Sequence, residues 1–158
     1  SMDSWLHGVS GRMAEKLGVQ NYRILVESQD NVGLGVIGQL PEPMSMQAFM
    51  AHVAKVFGIV GAGLRYVEGK RDTVQKIAIC GGAGADLVDK AIAQGADVYV
   101  SADFKYHELQ AACGQIAVVD MDHWVSEHYT REIFEELLSP YIHTRVAKED
   151  KSPVKYWS

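Results

Sequence analysis

The chain has 158 residues, 47% of them hydrophobic, enough to bury one core in a single domain or a compact pair of lobes. Fifteen Lys and Arg against twenty Asp and Glu leave a formal charge of −5 with no basic stripe, which argues against broad binding to nucleic acid or anionic membrane. Cys80 and Cys113 are too few for a disulfide framework and lack CxxC spacing; with no signal peptide and no long apolar run, they read as reduced thiols in a cytoplasmic protein.

In chain order, Asp3 and Ser4 offer caps for a helix in which Trp5, Val9, Met13 and Leu17 recur at helical spacing, ended by Gly18. Tyr22–Val26 is a short β-prone run, and Gly33–Gly38 a Gly-rich strand that something approaches closely. Leu40-Pro-Glu-Pro43 reads as a rigid connector. Ser45 caps a helix whose Phe49, Met50, Val53, Val56 and Phe57 form an apolar stripe closed by Gly58. Gly63–Val67 is a strand and Lys76–Cys80 a buried one, followed by a tight Gly81–Gly84 loop and a helix over Asp86–Ala93. Asp97–Val100 is the next strand, Tyr106–Cys113 a short helix, Ile116–Val119 a strand, and His123–Leu138 a long helix broken by Pro140. Tyr141–Ala147 can supply a last strand. Strand and helix alternate in the second half at the spacing of parallel βαβ units.

Ligand sites in parallel sheets gather at the carboxyl ends of strands, and three such ends are visible: after Cys80, after Val100 and after Val119. Asp103, His107, Asp120 and His123 would meet at that rim. In a helix that opens at Asp122, His123 and Glu127 sit one turn apart on one face, where imidazole and carboxylate can share zinc, manganese or iron. The same spacing also suits a solvated face in which Glu127 pairs with Arg131, and Asp122 serves equally as a helix cap. His107 caps its helix or, two residues after Lys105, contacts a phosphate or substrate. Gly81–Gly84 resembles a phosphate cradle without the spacing of a dinucleotide loop or the Walker lysine; a tight turn needing positive φ explains it as well.

The wording of the run IAICGGAGADLVDKAIAQGADVYVSADFKYHELQAACGQIAVVDMDHWVSE (77–127) is similar to the C-terminal half of the Nif-three-like family, dinuclear-metal proteins often labelled GTP cyclohydrolase 1 type 2 homologues. Upstream, GLGVIGQLPEPMSMQAFMAHV (33–53) resembles the family's GLGRIGxLPxPMSLxEFxxxV, and the closing SPVKYWS its SPFxY ending. The resemblance implies an α/β fold with a mixed, largely parallel sheet built from βαβ units and helices on both faces. It divides the chain into residues 1–30, left from the family's first lobe, an α/β lobe over 31–122, and a long helix, strand and tail over 123–158.

By the same resemblance His123 and Glu127 match the His and Glu of the family's GHxxSE, and Asp3 falls at its Asp ligand; the earlier histidine ligands have no counterpart. A site incomplete in this chain is therefore expected, holding a divalent metal through Asp3, His123 and Glu127, with Lys105, Tyr106 and His107 orienting substrate or moving protons. Asp122 replaces the family's Gly and adds a carboxylate beside the site. The implied activity is that of a truncated metal-dependent hydrolase acting on a small nucleotide or phosphate-type substrate; the alternative is a non-catalytic metal-binding or interaction module. The family's assembly implies a homo-oligomer, a dimer or a hexamer.

Overall fold

The computed structural model describes residues 2–26, 35–59 and 64–138, so the expected strand at 141–147 and the closing SPVKYWS motif lie outside the described residues. Helix α1 (Met2–Leu17) leads into β1 (Gln20–Ile24), and β2 (Val36–Ser45) into α2 (Met46–Phe57). Then come β3 (Leu64–Val67), β4 (Thr73–Ala83), a 3-10 turn at Ala85–Leu87, α3 (Val88–Ala93), β5 (Val98–Ala102), α4 (Tyr106–Ala112), β6 (Ala117–Met121) and α5 (His123–Leu138).

The strands form one sheet in the order β1-β2-β4-β5-β6-β3. It is mixed, as expected, with helices on both faces. The parallel part is the β4-β5-β6 core built by the two βαβ units, while β1–β2, β2–β4 and β3–β6 pair antiparallel. The antiparallel share is larger than "largely parallel" implies, because β2 and β3, joined by α2, run opposite to β4, β5 and β6, and β1 pairs antiparallel with β2.

Alternation along each strand sends apolar side chains to two cores. Val36, Ile77, Ile79, Val98, Val100, Val119 and Met121 meet α1, α2 and α5 through Val9, Met13, Leu17, Phe49, Val53 and Ile133. On the other face Ile37, Ala78, Cys80, Tyr99 and Val118 meet α3 and α4 through Ala91, Leu109 and Ala112. This places helices in two outer layers around the sheet.

Helix α2 shows why its segment folds as read. Ser45 Oγ accepts from the Ala48 N–H at 3.1 Å, and Gly58, in the left-handed region at φ 65°, returns its N–H to the last carbonyls. The proline segment is a correction: 40–43 is no connector but the middle of β2. Its register against β4 slips between Gln39 and Met44, so Pro41 and Pro43 occupy the interrupted stretch of the ladder, where their missing N–H groups cost no rung. Strand β4 likewise runs through Gly81–Ala83, which had read as loop.

Among the described contacts that anchor helix α1 are those to β4, α5 and α2. Ser10 Oγ accepts from the Gly81 N–H at 3.1 Å, at the carboxyl end of β4. Arg12 pairs with Glu136 of α5 at 3.2 Å. At its lower end His52 Nε2 bonds the Leu17 carbonyl at 2.8 Å.

Candidate functional site

The last rung of the parallel ladder joins Ala83, Ala102 and Met121 in register across β4, β5 and β6. The residues just beyond them, Gly84, Asp103 and Asp122, therefore leave the sheet side by side at its carboxyl rim, where open α/β sheets bind ligands.

At the first strand end the glycines serve close packing. Tyr99 Oη donates to the Gly84 carbonyl at 2.6 Å, and Ser101 Oγ reaches the Cys80 and Gly82 carbonyls, each at 3.0 Å. A Cβ on Gly84 would stand 2.5 Å from Tyr99 Oη and 2.6 Å from Ser101 Oγ, which excludes any larger residue. Gly82 has φ 82° with open space around it, so there the backbone itself requires glycine. The segment continues β4 rather than forming the expected tight turn, the positive φ expected of it falls at Gly82, and the Gly81 N–H is already spent on Ser10. Burial pushes the Cys80 thiol up to about 11 and raises the Tyr99 phenol further, so both stay protonated at neutral pH.

At the second strand end Asp103 takes the left-handed region at φ 63°, which turns the chain sharply off β5. Phe104 goes back into the core, its ring edge-on to Tyr99 with centroids 6.0 Å apart. Lys105 then opens α4: its N–H donates to Glu108 Oε1 at 2.8 Å, and its carbonyl accepts from the Glu108 and Leu109 N–H groups. Capping here belongs to Lys105 and Glu108, not to His107. Lys105, Tyr106 and His107 all face solvent, with Tyr106 77% exposed, an unusual position for so large an aromatic ring.

At the third strand end Asp120 is buried, 4% exposed, directly opposite Arg65 in the β3–β6 ladder. Arg65 Nε donates to Asp120 Oδ2 at 3.0 Å, Nη2 donates to the same oxygen, and Nη2 also donates to the Phe104 carbonyl at 2.7 Å. Oδ1 is buried with no hydrogen-bond partner among the described residues. Burial raises the Asp120 carboxyl above its ordinary range; Arg65 opposes the rise, while Asp103 and Asp122 add to it. Asp120 thus feels both neighbouring carboxylates at the rim.

The expected metal trio stands on two helices. Asp3 lies in the first turn of α1, and His123 and Glu127 in the first turns of α5; the side chains of all three lie outside those described. Among the described residues no three His, Cys, Asp or Glu side chains come close enough to hold a metal ion. The two helices do share a direction. α1 starts beyond the rim, passes Gly81 at Ser10, and ends beside β1, whose Gln20 is linked through Gln39 to Lys76 near the start of β4. α5 leaves the carboxyl end of β6 and descends over the same face to bury Ile133.

Sequence reasoning missed Arg65, Ser10, Tyr99 and Ser101. Only strand pairing puts Arg65 opposite Asp120, and no local spacing carries that signal.

The fold defines an α/β protein with helices on both faces of a mixed sheet and the carboxyl ends of its three parallel strands gathered at one rim. The sequence profile of the Duf34/NIF3 family (NGG1p interacting factor 3) matches residues 1–153, and the chain belongs to that family. It is 36% identical over 105 residues to a GTP cyclohydrolase 1 type 2 homolog of Mycobacterium leprae, covering 65% of this chain and 27% of that protein. With the Streptococcus pneumoniae homolog of the same name it shares 31% over 150 residues, 92% of this chain and 53% of the relative. The chain thus spans between about a quarter and half the length of these relatives. A Bacillus cereus protein related to NIF3 superposes with a TM-score of 0.80 at 19% identity, over 94% of this chain and 70% of that one, a likeness of fold. Reduced HcgD from Methanocaldococcus jannaschii gives a TM-score of 0.66 at 26% identity, over 86% and 52%. Among the described residues no helix is long and apolar enough to cross a membrane.

Proposed function

We propose that Asp3, His123 and Glu127 contribute to a divalent-metal site and that the protein is a metal-dependent hydrolase of nucleotide or phosphate-type substrates. The observation that carries this reading is helical register. Arg12 and Glu136 pair across α1 and α5, Asp3 lies nine residues before the one, and Glu127 nine before the other. In helices that run the same way, nine residues measure about 13–14 Å on each, which sets Asp3 and Glu127 at one level at the rim. His123 is one turn further along the face of Glu127.

Carboxylate, imidazole and carboxylate donors suit zinc, manganese or iron. Such an ion, when bound, supplies Lewis-acid polarisation of a substrate oxygen and lowers the pKa of a bound water. The chain's own groups would do the rest. Lys105 offers an exposed ammonium to an anionic substrate, Tyr106 an exposed ring for a flat group, and His107 an exposed imidazole that can carry a proton. Three donors leave positions for further ligands, and we propose that a neighbouring copy in a dimer or hexamer completes the site.

Isothermal titration with manganese and with zinc tests the ligands: His123→Ala is expected to weaken binding at least tenfold, in line with loss of one first ligand. Equal binding by the two proteins would remove the assignment. A panel of nucleotides, phosphodiesters and GTP with added manganese tests the chemistry. Activity abolished by Glu127→Gln supports the hydrolase, whereas metal binding without turnover across the panel supports a non-catalytic metal-binding module.

A further inference from the structure

Arg65 belongs to a short edge strand and plays no part in the metal reading, yet its guanidinium joins three elements. From β3 it grips Asp120 of β6 with Nε and Nη2, and with Nη2 it also holds the Phe104 carbonyl in the bend that follows β5. The fork geometry of guanidinium permits this double engagement; a lysine ammonium has no rigid plane with which to reproduce it. Among the described residues the hydrogen bonds of Asp120 go to Arg65, through Oδ2. The carboxylate thereby aims the arginine.

What the arginine holds is the bend by which the chain leaves β5. Asp103 sits at φ 63°, a region that non-glycine residues adopt at an energetic penalty. Phe104 presents the carbonyl to Arg65 while its ring anchors on Tyr99. Lys105, Tyr106 and His107 follow at once, exposed on the opening turn of a helix only seven residues long. Helices of that length have little stability of their own, so their direction is set by what fixes their start.

We propose that Arg65, aimed by Asp120, is a positioning residue that fixes the Asp103–Phe104 bend and thereby sets where Lys105, Tyr106 and His107 stand at the rim. The assignment to substrate use rests on the function proposed above; the positional claim does not, and its test needs neither metal nor substrate.

The test is amide NMR and hydrogen exchange on the full chain, comparing wild type with Arg65→Lys, Arg65→Met and Asp120→Asn. Arg65→Lys keeps a cation for Asp120 and is expected to fold, while the amide signals of Asp103–His107 move and those of β1, β2 and α2 stay. Exchange at Glu108 and Leu109, whose N–H groups bond the Lys105 carbonyl, is expected to rise about tenfold in Arg65→Met as the start of α4 loosens. Asp120→Asn is expected to perturb the same stretch less, because Asn retains an acceptor for Arg65. Two outcomes overturn the proposal: wild-type signals at 103–107 in a folded Arg65→Lys protein, or changes spread evenly along β3 and β6 without concentration in the bend. If Arg65→Met does not fold, the Arg65→Lys spectrum decides. Loss of hydrolase activity or of metal binding, by contrast, would leave these spectra untouched, so the two readings fail separately.

Discussion

Gly84 allows a sharp test of the packing at the first strand end. Its φ of −131° is open to any residue, so replacing it with alanine strains no backbone and the whole effect is steric. The new Cβ would stand 2.5 Å from Tyr99 Oη, 2.6 Å from Ser101 Oγ and 2.9 Å from Cys80 Cβ, and all three neighbours are buried. Tyr99 has no easy retreat, since its hydroxyl is bonded to the Gly84 carbonyl itself. Overpacking of this kind costs about 1–3 kcal/mol, and displacing the hydroxyl from its acceptor adds about 1–3 kcal/mol. Alanine restores only about 0.4–1 kcal/mol by restricting the unfolded chain. A net loss of about 2–4 kcal/mol is expected, read in urea denaturation as a midpoint lowered by about 1–2 M at unchanged slope. Tyr99→Phe removes the nearest atom, so Gly84→Ala should cost less in that background, with a coupling of at least about 1 kcal/mol. A Gly84→Ala protein within about 0.5 kcal/mol of wild type would refute the reasoning, as would strict additivity with Tyr99→Phe.

The Arg65–Asp120 pair should respond asymmetrically. Arg65→Met strands a buried carboxylate and is expected to lose about 3 kcal/mol, whereas Asp120→Asn keeps an acceptor for a half-exposed arginine and should change stability by about 1 kcal/mol or less. Because the folded-state pKa of Asp120 is raised, the folded protein holds its proton more tightly than the unfolded chain; the group adds stability as pH falls towards the acid range and withdraws it as pH rises through the folded value. Denaturation at neutral and at mildly acidic pH should therefore show Arg65→Met recovering relative to Asp120→Asn on acidification. With Cys113 exposed and Cys80 buried at a pKa of about 11, a thiol reagent at neutral pH should titrate one cysteine in the native protein and both only after unfolding. Phe49 of α2 is fully buried in the core, and Phe49→Ala should cost about 3–5 kcal/mol in the same urea assay.

Much of the fold was legible because its signals are local. Helix α5 begins and ends where the periodicity places it, Ser45 and Gly58 bound α2 as their chemistry demands, and the second half's strands recur at βαβ spacing. The signals that failed were those in which pairing overrides local preference. Pro41 and Pro43 look like strand breakers, yet a register slip lets β2 run through them; Gly81–Ala83 look like loop, yet β5 and Ser10 draw them into β4. The candidate site divides the same way. The rim residues from Asp103 to His107 could be placed by counting from strand ends, but Arg65 lies 55 positions before its partner in a stretch with no motif.

Helix α1 has a mechanical property that follows from where it is held. Ser10, seated on Gly81, lies seven residues from Asp3 on one side and seven from Leu17 on the other. A rigid rod pivoting at Ser10 has arms of about 10 Å each way, so a displacement of the lower tip appears at the upper one with equal size and opposite sense. The lower tip is where His52 grips the Leu17 carbonyl. A side chain on α2, roughly 20 Å by helix length from Asp3, is thus one of the contacts, with Arg12–Glu136 and Glu15–Tyr22, that bear on the tilt of the arm that carries it.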